Sequence, residues 1–163
     1  MKIAMIGAGN LATNFAKALS AAGHDIVQVY SRTGASARLL ADAVGALATD
    51  SLEGVTDDAE LYVMALKDSV LEDVIPEVCS RCPDAVFVHT AGSVPMDVFR
   101  GHALRYGVIY PMQTFSKARK VDFSVIPVFL EASDDAAMSV LEDVAKSVSG
   151  DVRHLDSPSR RYV

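Results

Sequence analysis

Several features of membrane-bound, secreted and nucleic-acid-binding proteins are missing from this sequence of 163 residues. It has no apolar run long enough for a transmembrane helix, and its N-terminus lacks the basic, apolar and small-residue order of a signal peptide. Basic residues are in a minority, 15 against 21 acidic ones, and the net charge is −6. This charge argues against a protein that mainly binds nucleic acid or an acidic membrane surface, and we expect a cytoplasmic location.

Cysteine is also scarce, since only Cys79 and Cys82 occur, in a C-x-x-C spacing. Structural zinc usually needs four ligands, and the histidines are scattered along the chain. A redox pair normally begins a helix, whereas this pair ends a helical stretch. We therefore predict no metal site and two inert helix cysteines. The absence of repeats, low-complexity tracts and Pro/Gly-rich linkers favours a single domain over residues 1–155.

The N-terminus, in contrast, carries an informative pattern. Residues 2–12, KIAMIGAGNLA, are typical of a short apolar strand, a glycine turn and the start of a helix. Gly7 permits the tight turn, and Gly9 leaves room for a pyrophosphate, whose charge the helix N-terminus attracts. The turn and the start of the helix comprise Gly7, Ala8, Gly9, Asn10 and Leu11. The alternative is an ordinary strand-turn-helix unit without a ligand.

The end of the second predicted strand, residues 25–30, indicates which nucleotide binds. An NAD-binding fold of this kind usually has Asp or Glu there, about 20 residues after the glycines, to bind the ribose hydroxyls. Here Ser31, Arg32 and Thr33 follow the strand, and no carboxylate is present. The guanidinium of Arg32 suits a 2′-phosphate, with two hydroxyls as further donors. We therefore predict NADP(H) as the cofactor; the alternative is a solvated loop arginine.

Apolar strands and amphipathic helices alternate along the rest of the chain. We predict helices over 35–44 and from 134 to 148, a helix capped by Asp68 with a kink or break at Pro76, and strands over 46–48, 61–66, 85–88, 106–110, 125–130 and 152–155. This order predicts an α/β fold: a doubly wound Rossmann-like sheet, mostly parallel, with helices on both faces. We expect Pro127 to make the 125–130 strand an outer one.

Ligands of doubly wound sheets bind outside the carboxyl ends of the strands, so the segments that follow the strands are the candidate site. The side chains that we expect on the substrate side are those of His89, Ser93, Gln113 and Thr114. A buried, structurally hydrogen-bonded role is the alternative for His89.

Four sequence runs together resemble one known family: GAGNLA at the glycine turn, YSRT over 30–33, HTAGS over 89–93 and YPMQTF over 110–115. The chain is similar over essentially its whole length to Rossmann-like bacterial NADP oxidoreductases of the coenzyme F420-dependent type. These are relatives of pyrroline-5-carboxylate reductase and of the 6-phosphogluconate dehydrogenase type of NADP domain. The resemblance implies NADP bound by the glycine-turn residues, Ser31 and Arg32, with the nicotinamide near Leu66, Ala91 and Gly92.

Members of that family continue past the region of Asp156 into a helical domain that carries dimerisation and much of the substrate pocket. We therefore expect residues 156–163 to begin such a domain, with Ser157 or Ser159 as helix cap and a tail that is frayed unless a partner chain docks on it. A homodimer is expected only with the helical domain. The 163-residue chain is expected to bind NADPH without turnover.

The function that this reading favours is the NADP(H)-binding domain of an oxidoreductase that transfers hydride between NADPH and a small carbonyl or imine substrate. One alternative is a non-catalytic NADP-binding sensor or regulatory domain. Another is a methyltransferase that binds S-adenosylmethionine, but this ligand has no 2′-phosphate and favours an acid where Arg32 stands. The sequence does not identify the small-molecule substrate.

Overall fold

A computed structural model describes residues 1–119 and 121–162. Within these ranges, strands and helices follow one another in this order: β1 (Lys2–Ile6), α1 (Asn10–Ala21), β2 (Asp25–Tyr30), α2 (Gly34–Val44), β3 (Leu47–Thr49), β4 (Leu61–Met64), α3 (Asp68–Arg81), β5 (Val86–His89), β6 (Arg105–Pro111), β7 (Val128–Ala132), α4 (Asp135–Val148), β8 (Val152–His154) and α5 (Ser157–Arg160). Short 3₁₀ turns cover Leu52–Gly54, Met96–Phe99 and Phe123–Val125.

All the strands lie in one sheet, in the order β3-β2-β1-β4-β5-β6-β7-β8. Neighbouring strands from β3 to β6 pair in parallel, whereas β7 is antiparallel to β6 and parallel to β8. The prediction of a mostly parallel, doubly wound α/β sheet is confirmed. The strand order reverses between β1 and β4, so the crevice typical of this fold lies at the carboxyl ends of these two strands.

The sheet is buried on both faces because its central strands are apolar at nearly every position. Ile3 and Met5 of β1 belong to the core that α1, α2 and α4 cover, with Phe15 among its buried side chains. The alternate residue Ile6 belongs to a second core, covered by α3 and including Tyr62. No helix within the described residues is long and apolar enough to cross a membrane.

The prediction of an outer strand over 125–130 is wrong. The strand β7 begins at Val128, after Pro127, and it has a partner on each side. Proline has no N–H to donate to a ladder, and here it stands just before the ladder begins. Its carbonyl oxygen instead accepts a hydrogen bond from the N–H of Met112 (2.9 Å).

Two predicted helix caps are also wrong. Lys67 precedes α3 as its N-cap, so Asp68 is the first helical residue and its carboxylate takes another partner. Asp156 caps α5, and its carboxylate accepts from the N–H of Ser159 (2.9 Å), because carboxylates satisfy the free N–H groups of a first helical turn. The helix α3 runs through Pro76 without a break.

The prediction of a frayed tail is wrong for α5. Its last residue, Arg160, is only 1 % exposed and forms hydrogen bonds to two other segments of the chain, the loop after β5 and the strand β7. These contacts supply the stability that so short a helix lacks by itself in water. Val163, the last residue of the predicted tail, lies outside the described residues.

Candidate functional site

The glycine turn joins β1 to α1 at the point where the strand order reverses. Gly7 has a φ of +120°, which L side chains rarely adopt, and a Cβ there would overlap the carbonyl oxygen of Ala65. The N–H of Gly7 donates to the carbonyl oxygen of Tyr30 (2.8 Å). The N–H of Ala65 donates to the carbonyl oxygen of Ile6 (2.9 Å). Gly7 is therefore needed for the close approach of the strand ends.

Gly9 serves a different purpose. It is the N-cap of α1, with an ordinary φ of −76°, and a Cβ built on it would meet nothing within 4 Å. The space next to it is open, and it adjoins the first N–H groups of a helix, which have no intrahelical partner and a partial positive charge. Asn10 beside it is exposed, whereas Ala8 is buried and Leu11 is half-buried. This geometry fits a pyrophosphate.

The residues after β2 lie at the same edge of the sheet. The hydroxyl oxygen of Ser31 accepts from the N–H of Thr33 (3.2 Å) and keeps its own proton for a further acceptor. Arg32 is exposed and forms no ion pair with any of the described residues. Its guanidinium is therefore free to bind an anion from solution.

Two charged groups that the sequence reading did not single out lie close to this segment. A Cβ on Gly34 would be 3.2 Å from Oδ2 of Asp50 and 3.8 Å from Nη1 of Arg38. Asp50 follows β3 and Arg38 lies in the first turns of α2. The surroundings of Arg32 thus contain a second cation and one carboxylate.

The loop after β5 is built around a buried histidine. His89 is 0 % exposed, its Nδ1 accepts from the N–H of Ala91 (3.0 Å), and its Nε2 lies 3.3 Å from the carbonyl oxygen of Pro95. Burial lowers the pKa of His89 to about 4, so the ring is neutral and Nε2 donates. The ring is enclosed, so the structural alternative for His89 fits the geometry, and its place on the substrate side stays a prediction.

The other candidate substrate residues are exposed. The hydroxyl of Ser93 donates to Oδ2 of Asp68 (3.0 Å), which joins the loop after β5 to the start of α3. Gln113 and Thr114 are exposed after the carboxyl end of β6. The Ser93–Asp68 pair could not be found in the sequence, since the two residues are 25 positions apart and Asp68 has the usual features of a cap.

Packing defines the region predicted to receive the nicotinamide. A Cβ on Gly92 would be 2.9 Å from Cζ of Tyr110, so the absence of a side chain lets that ring lie against the loop. Leu66 is half-buried, and its Cδ2 would lie 3.4 Å from a Cβ on Gly7. Small and apolar groups therefore surround this part of the edge.

Other features lie apart from this edge. Burial raises the pKa of the Cys79 thiol to about 12, so it stays protonated, as expected of an inert cysteine. A cavity of about 770 Å³ lies between α1, residues 117–119 and 121–124, and the end of α4, and its lining includes Asn14, Lys17 and Phe123. None of the predicted site residues lines it.

Solved structures similar to this chain share its architecture. A protein of Bacteroides fragilis assigned as an NADP oxidoreductase has 49 % identity and a TM-score of 0.96, with 99 % of this chain and 62 % of that chain covered. Prephenate dehydrogenase from A. aeolicus has 14 % identity and a TM-score of 0.84, covering 99 % and 62 %. An imine reductase from Myxococcus stipitatus, in complex with NADP⁺, has 18 % identity and a TM-score of 0.78, covering 98 % and 56 %.

These last two likenesses concern the fold alone, and this chain spans less than two thirds of the length of each of the three proteins. A comparison with curated proteins gives no match. The model of one family, described as NADP oxidoreductase coenzyme F420-dependent, matches residues 2–91, which is more than half of the chain. This match confirms the predicted family and NADP(H) as the cofactor. The chain belongs to the family of coenzyme F420-dependent NADP oxidoreductases.

Proposed function

We propose that this chain is the NADP(H)-binding domain of an oxidoreductase that transfers hydride between NADPH and a small carbonyl or imine substrate. The observation that carries the proposal is the exposed guanidinium of Arg32, which has no ion-pair partner among the described residues and lies at the same sheet edge as the open space beside Gly9. An anion-binding turn and a cation at the second strand end suit the pyrophosphate and the 2′-phosphate of NADP.

Each part of the cofactor has a matching part of the edge. The turn from Gly7 to Leu11 would hold the pyrophosphate, and Ser31, Arg32 and Thr33 would hold the 2′-phosphate. Leu66, Ala91 and Gly92 would contact the nicotinamide, where small residues let a flat ring approach the backbone. When bound, NADPH supplies the hydride; the protein contributes binding, orientation and exclusion of water.

A carbonyl or imine acceptor requires a hydrogen-bond donor for its oxygen or nitrogen, which gains a proton as the carbon gains hydride. Gln113 and Thr114 offer such donors at the edge where the nicotinamide is proposed, whereas the hydroxyl of Ser93 donates its one proton to Asp68 and presents an acceptor to the substrate. The carboxylate of Asp68 orients the hydroxyl of Ser93. The imine reductase with bound NADP⁺ shows that a similar fold serves that substrate class in another protein.

The first test is a binding comparison of NADPH, NADH and S-adenosylmethionine by calorimetry and thermal shift. A ligand that binds only the folded protein stabilises it, by about 2.7 kcal/mol at a hundredfold excess over its Kd. We expect saturable binding of NADPH, weaker binding of NADH and none of S-adenosylmethionine. Equal affinity for NADPH and NADH would contradict the proposed role of Arg32.

The second test addresses chemistry. The protein with bound NADPH is mixed with small aldehydes, ketones and imines, and oxidation is followed by the loss of absorbance at the nicotinamide band. Acceptor-dependent oxidation supports the oxidoreductase proposal. Tight NADPH binding without oxidation by any acceptor, in the full-length protein, would favour a sensor or regulatory domain instead.

A further inference from the structure

The most heavily bonded polar side chain near the proposed nicotinamide site is one that the sequence reading passed over. Arg160 is 1 % exposed, its Nε donates to the carbonyl oxygen of Ala91 (3.3 Å), and its Nη2 donates to that of Val94 (2.5 Å). A buried guanidinium without such partners would be strongly destabilising. The last described helix thus reaches back to the loop that follows β5, 66 residues or more away in sequence.

A carboxylate and a hydroxyl complete this buried network. Nη1 of Arg160 donates to Oε1 of Glu131 (3.2 Å), and the other carboxylate oxygen of Glu131 accepts from the N–H of Ser157 (2.7 Å). The hydroxyl of Ser157 also donates to Glu131 and accepts from the N–H of Met96 (3.0 Å). Glu131 lies on β7, so the sheet itself anchors the guanidinium.

The loop of residues 91–95 is therefore held from two sides. His89 accepts from the N–H of Ala91 and donates to Pro95, while Arg160 binds the carbonyl oxygens of Ala91 and Val94. Fixing both the N–H and the carbonyl of Ala91 determines the orientation of the peptide that joins it to Gly92.

That orientation leaves one donor available. The Ala91–Gly92 peptide is trans, so its N–H points away from the carbonyl that Arg160 binds. None of the described residues accepts a hydrogen bond from the N–H of Gly92. Arg160 is buried and Gly92 is partly exposed, so this N–H is directed away from the buried network.

We propose that Arg160 is a positioning residue that holds the Ala91–Gly92 peptide with its N–H toward the nicotinamide half of the cofactor. The carboxamide oxygen of the nicotinamide is an acceptor of the right chemistry, and a peptide held in advance loses no conformational freedom when it binds. This inference rests on the proposed function, since it assumes that the dinucleotide lies along the carboxyl edge of the sheet.

The test separates the two halves of the cofactor. NADPH contains the nicotinamide, whereas 2′,5′-ADP contains only the part that Arg32 and the glycine turn would bind. Affinities for both are measured by calorimetry for the wild type, for Arg160→Met and for Arg160→Lys. Arg161→Met is the matched control, because Arg161 is the next residue and is exposed.

We expect Arg160→Met to weaken NADPH binding by about tenfold while changing the affinity for 2′,5′-ADP by less than about twofold. Arg160→Lys should lie between this variant and the wild type, because an ammonium can keep one of the carbonyl contacts. Arg161→Met should match the wild type. Unchanged NADPH affinity, or an equal loss for both ligands, would overturn the positioning role.

Two further measurements test the positioning role of Arg160 if Arg160→Met does not fold. Ser157→Ala removes the acceptor for Met96 and leaves the guanidinium in place, and it should give a smaller loss confined to NADPH. In the wild type, the ¹⁵N-¹H signal of Gly92 should shift with NADPH but not with 2′,5′-ADP; an unmoved signal at saturation contradicts the proposal. Failure of the wild type to bind either ligand would instead contradict the proposed function.

Discussion

At the start of α1 and after β2, several donors have no partner among the described residues, whereas the loop after β5 forms hydrogen bonds within the protein with nearly all of its polar groups. Arg32 is exposed and forms no ion pair with described residues, but Arg160 is buried in a network with Glu131 and two backbone carbonyls. Phosphate groups bring their own charge, so free donors are enough to receive them. A neutral ring offers little charge, so its binding depends on a surface fixed beforehand.

The largest expected effect comes from breaking the buried network. Glu131→Ala leaves the guanidinium of Arg160 buried without its carboxylate, and removal of one partner of a buried pair typically costs about 3–5 kcal/mol. We expect urea denaturation to show a loss of that size in the free energy of unfolding. Glu142→Ala is the control, because Glu142 pairs with exposed Lys146 and His154 and should cost about 1 kcal/mol or less.

The second prediction concerns the other buried support of the same loop. Burial lowers the pKa of His89 from 6.5 to about 4, so the unfolded chain binds the extra proton between these values and the folded protein does not. The contribution of His89 to stability is complete above pH 6.5 and is lost as the pH falls toward 4. It amounts to about 3 kcal/mol over this window.

Substitution of His89 by glutamine tests this assignment. Glutamine offers one acceptor and one donor, as the neutral ring does, but it does not titrate. The stability of His89→Gln should therefore fall less steeply than that of the wild type between pH 6.5 and pH 4. Parallel pH profiles for the two proteins would show that another group causes the acid sensitivity.

The two glycines of the turn are expected to differ in what their substitution changes: Gly7 affects stability and Gly9 affects nucleotide binding. Gly7→Ala forces a Cβ against the carbonyl oxygen of Ala65 at a φ of +120°, and it should cost about 2 kcal/mol or more. A Cβ at Gly9 would meet nothing within 4 Å, so the main stability cost of Gly9→Val should be that of a poorer N-cap, about 1 kcal/mol, while NADPH and NADH binding is lost. Unfolding curves and calorimetry separate the two effects. Normal nucleotide binding by Gly9→Val would show that the turn is only structural.

Features that depend on neighbouring residues could be predicted from the sequence, whereas contacts between distant residues could not. The strand β2 lies over Asp25–Tyr30 as predicted, and Gly45 ends α2 in the left-handed conformation, because both depend on neighbouring residues. The role of Arg160 depends on Glu131 and on carbonyls far away along the chain, and no local pattern announces such a contact. Arg160 has the ordinary appearance of a solvated tail residue until the fold brings these groups together.

The corrected elements follow the same rule. Pro127 predicted an outer strand, but β7 begins after this proline and pairs on its second side with β8, which lies further along the chain. Aspartate is a common residue type at helix caps, yet the carboxylate of Asp68 accepts a hydrogen bond from the hydroxyl of Ser93, which the sheet places beside it. The conformation of the glycine turn could be predicted directly because it depends on backbone geometry encoded by adjacent residues.

The last prediction tests the exposed half of the comparison, and its effect should be confined to one ligand. Arg32→Glu removes a charge-assisted partner of the 2′-phosphate and adds repulsion, so NADPH affinity should fall by about tenfold or more. NADH carries no 2′-phosphate, and the new carboxylate can accept hydrogen bonds from its ribose hydroxyls, so its affinity should stay equal or rise. Arg161→Glu makes the same change of net charge at an exposed position on the tail, and it separates a local contact from general electrostatic attraction. If both variants weaken NADPH equally, and if added salt removes the difference from the wild type, the phosphate is attracted by the overall field and not held by Arg32.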